Sequence, residues 1–511
     1  MITVELKSHS VKLRVVNVPH PKPHRLLPNL PVVVFIHGLG GQLNQFDHLI
    51  DYFSYFSQVL AVDLPGHGQS DSPSAWDVYT PETLVDAVEK VIVELLINKD
   101  QKVVLIGHSM GTQLAVRLAH RLLPRSDTVG NDSSDKDGAA MRPTCVGLVA
   151  ICPPAEVDPK LQNLKKNLPY LPPFVFDMFR AADRMGGLES KSVTRLVDSK
   201  APVEVRQQQL RTNLQVNTRA WIRTAYAFET VTGDQWKSLT CPVYLIGARQ
   251  DQVAPCEHVL QIHKWLNPLS QSASIEPVII DNAGHSCMIE KYQLVCGLVS
   301  DFISKRVDEH LSLAWQLAFF ASQSDKWSLK NEEKWRSVQP VGDRVLTPAT
   351  LDNTSIDTRV RGMKTLRQND PSHSPHLVEQ QYRDIYHVID ISRDPPPYDP
   401  NTFERIKYHK FPTVSKIPPS RKEVREFNKL VDECLADTPL DGSLAVHCHY
   451  GFNRTGFFIC GYLIEKYNLT VAEAIEAFKQ SRVPGIKHPH FVDELYVRHE
   501  LGNNRRVSVS L

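Results

Sequence analysis

Two stretches of the 511-residue chain bring nucleophile, cation and base together at spacings that serve chemistry. The first is His447-Cys448-His449-Tyr450-Gly451-Phe452-Asn453-Arg454-Thr455-Gly456, a Cys-x5-Arg run between a short apolar segment at 444–446 and a helix-period stretch. A loop of this length between strand and helix holds a phosphate. The backbone N–H groups of residues 449–454 point inward, the positive end of the helix adds its field, and the planar fork of Arg454 grips two oxygens. The phosphate-binding set is then His449, Tyr450, Gly451, Phe452, Asn453 and Arg454. The same field lowers the pKa of Cys448 and makes it a thiolate nucleophile at neutral pH. Thr455 is placed to hydrogen-bond that sulfur when it leaves.

The second is Gly107-His108-Ser109-Met110-Gly111, which follows an apolar run at 103–106. Small residues flank the serine on a turn too sharp for side chains, so its Oγ stands exposed. Upstream, His37-Gly38-Leu39-Gly40-Gly41 ends the run Val32–Ile36, where the N–H of Leu39 can join that of Met110 as an oxyanion hole. Downstream, Asp251 follows the run at 243–246, and His285 follows Val278–Ile280. Ser, Asp, His is the chain order for a nucleophile, acid and base set on loops at the carboxyl ends of parallel strands.

The elements that must hold these residues are legible as buried strands. Apolar, β-branched runs recur at Val32–Ile36, Val59–Val62, 103–106, 146–151, 243–246 and Val278–Ile280, with helix-period stretches such as 81–96 and 113–123 between them. Strands alternating with helices predict a mostly parallel sheet and an α/β fold. Residues 126–143 are polar and are expected to be a disordered surface loop. Residues of about 155–235 set Phe174, Phe176, Phe179, Trp221 and Tyr226 among charged helical residues and read as a helical lid. A helical segment from about Lys291 past Trp315 leads into a polar stretch, so 311–334 is read as a helical and polar linker. A second α/β unit follows over 335–511, with strands at 385–391 and 444–446 and helices near 420–435, 455–467 and 471–481. Thr470 and Glu473 form the capping-box spacing of the last helix.

Residues 1–310 resemble the α/β-hydrolase fold family, and Asp63-Leu64-Pro65-Gly66-His67-Gly68 is similar to a turn of that family. The resemblance implies Ser109 as nucleophile, His285 as general base and then acid, and Asp251 as the orienting carboxylate. It also offers Glu156 as an alternative acid and leaves His67 and His108 as structural turn residues. The Cys448 loop resembles the signature of cysteine-dependent dual-specificity phosphatases. Within that class it is most similar to the RNA 5′-triphosphatase domains of mRNA capping enzymes and their smaller phosphatase relatives. Gly342-Asp343-Arg344, Lys364-Thr365 and Ile389-Asp390-Ile391 with Tyr398-Asp399-Pro400 match in the same order. One departure from ordinary dual-specificity phosphatases has chemical content: Tyr408 to Lys416, where a general acid is expected, holds no carboxylate. A diphosphate leaving group needs no proton, so the absence favours a phosphoanhydride; Asp394 and Asp399 are the surrogate acids otherwise available.

Composition bounds the rest. Hydrophobic residues at 42% and charged residues at 23% exclude wholesale disorder, and 58 Lys and Arg against 57 Asp and Glu give no global footprint of a DNA binder. Basic residues cluster locally: Lys407, Lys410, Lys416, Arg421, Lys422 and Arg425 in one stretch, Lys479, Arg482, Lys487, His488 and His490 in another. Near the phosphate loop they would rim a polyanionic substrate. No membrane span or signal-peptide core is evident, and a cytoplasmic or nuclear protein is expected. The nine cysteines are scattered with no C-x-x-C pair, and neither mechanism requires a metal or cofactor, so activity should survive a chelator. The expectation is an α/β-hydrolase domain with a helical lid followed by an α/β cysteine-phosphatase domain. It would act on a phosphorylated substrate (protein, lipid, nucleotide or RNA 5′ end) and on a small acyl substrate. The alternative is a phosphatase whose hydrolase-fold half only binds.

Overall fold

The computed structural model describes the chain except residues 8, 26–28, 97, 99, 124–141, 158, 166, 171, 267–274, 323–328, 350–353 and 502–511. The loop read at 126–143 lies almost wholly outside the described residues. The chain forms two compact units, Met1–Ser312 and Leu313–Leu511.

The first unit opens on a hairpin of β1 (Ile2–Leu6) and β2 (His9–Leu13), whose alternation buries Val4, Leu6, Val11 and Leu13. Seven strands then form one sheet: β3 (Val15–Val18), β4 (Val32–Ile36), β5 (Val59–Val62), β6 (Lys102–His108), β7 (Thr144–Ile151), β8 (Val243–Ala248) and β9 (Val278–Ile280). Their order is β3-β5-β4-β6-β7-β8-β9, and β3 alone runs antiparallel to its neighbour. All five residues of β4 and all four of β5 are buried, because crossover helices cover both faces of a parallel sheet and demand continuous apolar runs. The chain winds one way through β4 and β5 and the other way from β6 onward. That makes the gap between the carboxyl ends of β4 and β6 the topological switch point, where loops diverge and leave a crevice.

Between β7 and β8 the chain is helical, with its longest pieces at Pro173–Arg184, Val203–Leu214 and Thr218–Ala227. Pro173–Arg184 has no fully buried residue and exposes Phe174, Met178 and Phe179. The helical segment read from about Lys291 past Trp315 comprises two helices, Tyr292–Arg306 and Leu313–Ser322. Asp308 divides them, because its carboxylate accepts from the backbone N–H of His310 at 3.0 Å and so closes a turn in place of a helical bond.

The second unit is a five-stranded sheet of β10 (Val341–Leu346), β11 (Asp357–Met363), β12 (Ile385–Ser392), β13 (Lys407–Thr413) and β14 (Ser443–His447), in the order β10-β11-β14-β12-β13. β11, β14, β12 and β13 are parallel, and β10 is antiparallel to β11. The fully buried central strand β14 feeds directly into the helix Asn453–Tyr467. Helices Arg421–Ala436 and Val471–Ser481 each begin with a complete capping box, Ser420 with Glu423 and Thr470 with Glu473. Part of the stretch read as a linker is the helix Leu329–Arg336, whose Trp335 is fully buried and donates from Nε1 to the Thr365 carbonyl at 3.1 Å. Among the described residues no helix is long and apolar enough to cross a membrane.

Candidate active sites

Ser109 stands between β6 and the helix Met110–Arg121 with φ 54° and ψ −124°, a left-handed backbone that an L-residue adopts only when its surroundings force it. The forcing contacts are visible at its neighbours. A Cβ on Gly111 would lie 2.1 Å from the Ile36 carbonyl oxygen, and one on Gly107 2.7 Å from that of Gly111. The glycines therefore let the elbow press against β4. A Cβ on Gly38 would lie 2.8 Å from Ser109 Cβ, which brings the loop after β4 against the nucleophile position. That loop carries Leu39, whose N–H has no acceptor among the described residues, while Met110 N–H is the first of the helix and has no helical partner.

His285 Nδ1–H donates to Asp251 Oδ2 at 2.8 Å, and the other carboxylate oxygen accepts from the N–H groups of Val253 at 2.7 Å and Ala254 at 2.8 Å. Burial pushes the Asp251 carboxyl up, but the facing imidazole and these amides outweigh it and hold the group below its ordinary value. Asp251 is thus an ionised, immobile partner that fixes the ring of His285. Glu156 is not in this cluster: its side chain is 74% exposed and faces His258 at 3.9 Å. His108 donates from Nε2 to the His285 carbonyl at 2.9 Å, and burial holds its pKa down at about 3, so it is a neutral tether for the histidine loop. His67 bonds the Pro65 carbonyl at 3.0 Å within its own turn.

In the second unit Cys448 ends β14, and every carbonyl of the loop behind it is engaged on the outside. The oxygen of Cys448 accepts from His447 Nδ1 at 3.0 Å, that of His449 from Thr365 N–H at 3.0 Å, and that of Tyr450 from Arg482 Nη2 at 3.0 Å. Gly451 O accepts from Arg482 Nε at 2.8 Å and Phe452 O from Gly456 N–H at 2.7 Å. With the oxygens turned out, the peptide N–H groups turn in, which makes the loop an anion nest. Gly451 permits this with φ 75°, where a Cβ would lie 2.1 Å from the Met363 oxygen. Asn453 Oδ1 accepts from the N–H groups of Lys487 at 2.7 Å and His488 at 3.0 Å and closes the rim.

Thr455 Oγ1 donates to Cys448 Sγ at 3.3 Å. Burial works against the thiolate, but Arg454, that hydroxyl and the N–H groups of Gly451 and Thr455 overcome it and lower the Cys448 pKa. Arg454 is anchored through Nη1 to the carbonyls of Ile391 at 3.1 Å and Thr413 at 2.9 Å; the rest of its fork takes no acceptor among the described residues. Behind the loop lies a buried chain. His447 Nε2 meets Tyr398 Oη at 2.8 Å, and Asp390 accepts from Tyr408 at 2.9 Å and Lys410 at 2.7 Å. Asp399 caps its own turn, accepting from Asn401 N–H at 3.0 Å.

The geometry accords with similarity to known proteins. The model of the alpha/beta hydrolase family matches residues 33–298. The chain belongs to this family. The catalytic domain of the dual specificity phosphatases matches residues 368–500, so the family's sheet is followed here by a second hydrolase-class domain. An abhydrolase domain-containing protein of Schizosaccharomyces pombe is 25% identical over 283 residues, 54% of this chain and 70% of that protein. The mRNA-capping enzyme of Danio rerio is 30% identical over 173 residues, 32% of this chain and 28% of its own length. The RNA/RNP complex-1-interacting phosphatase of Mus musculus is 29% identical over 182 residues, 34% of this chain and 56% of its own length. The chain thus spans only part of either phosphatase relative.

Two residues that serve these sites are silent in the sequence. Arg482, read only as part of a basic run, is fully buried and supports the phosphate loop. Glu290 accepts from Gly284 N–H at 2.7 Å and Asp198 N–H at 2.8 Å, binding the His285 loop to the helical insertion of this α/β hydrolase; burial raises its carboxyl to about 7. Other members of the basic runs are engaged elsewhere: Lys407 with Asp437, Lys410 with Asp390 and Arg421 with the Arg498 carbonyl. Cations beside the loop include Lys416, whose charge interacts with Cys448 and Arg454, Lys487, 4.3 Å from the centre of the Phe452 ring, and Lys334, 5.3 Å from that of Tyr450.

Proposed function

We propose that this α/β hydrolase is bifunctional, a cysteine-dependent phosphatase fused to a serine hydrolase of ester-type bonds. The observation that carries the phosphatase half is the outward engagement of the loop carbonyls from Cys448 to Phe452, which leaves a preformed cradle of N–H groups around a thiol of lowered pKa. Cys448 attacks phosphorus, Arg454 holds the equatorial oxygens, and the leaving group departs opposite the sulfur. Water then hydrolyses the cysteinyl-phosphate while Thr455 supports the departing thiolate. In the other half Ser109 attacks an acyl carbon with His285 as base and Asp251 as its anchor, and the N–H groups of Leu39 and Met110 receive the oxyanion.

The reading extends to a phosphoanhydride substrate. Residues 408–416 carry no acid, and of the two surrogates Asp394 and Asp399 the second is occupied by its turn, which favours a leaving group that departs unprotonated. Lys334 and Lys487 beside the loop suit a chain of further phosphates, and the relatives named above include an mRNA-capping enzyme. The test compares phosphate release by wild type and Cys448→Ser from a 5′-triphosphate RNA and an aryl phosphate. Cys448-dependent turnover that favours the triphosphate supports the anhydride reading, and preference for the aryl phosphate overturns it. Release undiminished in Cys448→Ser removes the thiolate mechanism itself.

A further inference from the structure

Away from Cys448 in the second unit, three metal-binding side chains converge on one face of the sheet. His387 projects from β12, His409 from the adjacent β13, and Cys434 from the last turn of the helix Arg421–Ala436 that covers them. One ligand atom from each lies within 4.8 Å of the other two, with His387 and Cys434 buried and His409 half-buried. The two imidazoles meet nitrogen to nitrogen, Nδ1 of His387 to Nε2 of His409 at 2.9 Å. His387 pairs in register with Leu444, four residues before Cys448 on a parallel strand, so the cluster lies about 13 Å down the sheet from the phosphate loop.

We propose that His387, His409 and Cys434 form a zinc site outside both active sites. Two imidazoles and a thiolate are the donor set that a borderline-soft, tetrahedral divalent ion selects over magnesium or calcium. Tetrahedral zinc, with nitrogens at about 2.0 Å and sulfur at about 2.3 Å, sets its donor atoms roughly 3.3–3.6 Å apart. The cluster therefore needs the two nitrogens to open by about half an ångström and the thiol to close by no more than about 1.3 Å. Two strands and a helix end supply the ligands, so they are held by rigid elements rather than loops.

A second observation points the same way. The nitrogen of His387 that faces away from His409, Nε2, lies 3.8 Å from Asp437 Oδ2. Metal-bound histidines almost always present their outer N–H to a carboxylate, which fixes the tautomer that leaves the inner nitrogen bare. On binding, the proton shared between the rings moves to His387 Nε2 or to the outer nitrogen of His409, and Cys434 gives up its thiol proton to solvent. The Asp437 side chain is 56% exposed, so the cluster has an entry path from solvent.

The experiment uses the full chain, stripped with a chelator and titrated with Zn²⁺ and, as a spectroscopic probe, Co²⁺. Wild type should bind one equivalent that gives a thiolate-to-cobalt charge-transfer band. Cys434→Ser and His409→Gln should weaken it at least 100-fold and abolish the band, and Asp437→Asn should weaken it about 10- to 100-fold. Cys448→Ser, and Cys152→Ala at the buried thiol whose ligand atom lies within 4.8 Å of those of His108 and His285, should keep both, which separates this site from the phosphate loop and from the histidines beside Ser109. Zn²⁺ should also raise the melting temperature of wild type and of Cys448→Ser but not of His409→Gln. An equivalent retained in both Cys434→Ser and His409→Gln, or a wild type without the cobalt–thiolate band, overturns the proposal.

Discussion

Arg482 donates from Nε to the Gly451 carbonyl at 2.8 Å, so a residue beyond the helix Val471–Ser481 sets the direction of the peptide that faces the phosphate. Its Nη2 reaches the Tyr450 carbonyl at 3.0 Å and that of Gln339 at 3.1 Å. Burial lowers its pKa to about 10, against the pull of Cys448, and it remains a cation at neutral pH. Replacing it by alanine leaves buried carbonyls without a donor, each costing about 1–3 kcal/mol, and frees Tyr450 and Gly451 to flip inward. Arg482→Ala should lower the melting temperature and cut kcat for phosphate release at least tenfold. Arg482→Lys, which keeps charge but not the fork, should fall between. A variant with lowered stability and undiminished kcat would restrict Arg482 to a structural role.

The field around Cys448 predicts a reactivity that depends on pH. An ordinary thiol titrates near 8.5, and here Arg454, the Thr455 hydroxyl and two N–H groups lower that value despite burial. Alkylation of Cys448 by iodoacetamide, followed by mass spectrometry, should persist to lower pH than that of an ordinary thiol and fall only when the thiolate protonates. In Arg454→Ala the midpoint should move upward, and Thr455→Ala should shift it less, because the guanidinium contributes the larger share. A midpoint that does not move in Arg454→Ala would falsify this account of the thiolate.

What could be read beforehand follows burial. β4 and β5 are apolar along their whole length, and β12 and β14 carry the shorter apolar runs Val388-Ile389 and Leu444-Ala445-Val446, so each announces itself without an alignment. β13, Lys-Tyr-His-Lys-Phe-Pro-Thr, does not, because an edge strand tolerates charges and Pro412 where a central one cannot. β1 and β2 carry their signal in the alternation of Val4, Leu6, Val11 and Leu13, which is weak because only two residues of each short strand are apolar and buried. Ser109, Asp251, His285 and the Cys448 loop were legible because each follows a readable strand. Arg482 and Glu290 were not, since both bond to backbone groups, and a backbone partner leaves no trace in residue type.

The triad geometry makes a graded prediction for labelling of Ser109 by a fluorophosphonate. Asp251→Asn cannot accept the His285 proton with charge and should slow labelling by about 10²–10⁴-fold in a folded protein. Glu156→Gln, at a side chain that faces solvent and His258, should leave the rate within about twofold. Gly38→Ala places a methyl group 2.8 Å from Ser109 Cβ and should abolish labelling while the sheet stays intact by circular dichroism. Undiminished labelling in Asp251→Asn would mean that Asp251 does not orient the base, and loss in Glu156→Gln alone would assign that role to Glu156.

Asp384 is one of the carboxylates that make the stability of the second unit depend on acid pH. Its Oδ2 accepts from Ser443 Oγ at 2.8 Å, Arg361 Nη2 at 2.7 Å and Arg344 Nη2 at 2.9 Å, and although burial opposes ionisation these donors bring its pKa to about 2. A carboxyl depressed in the folded state stabilises it above the unfolded value, near 3.9, and loses that contribution as pH falls toward the folded value. Asp384→Asn should therefore lower the melting temperature of this unit at pH 7 by an amount that stays constant down to about pH 4 and shrinks between about pH 4 and 2. The side chain is 27% exposed, so added salt should reduce the difference without removing it. A difference that persists unchanged at pH 2 would mean that the bond to Ser443, and not the charge facing Arg344 and Arg361, ties β12 to β14.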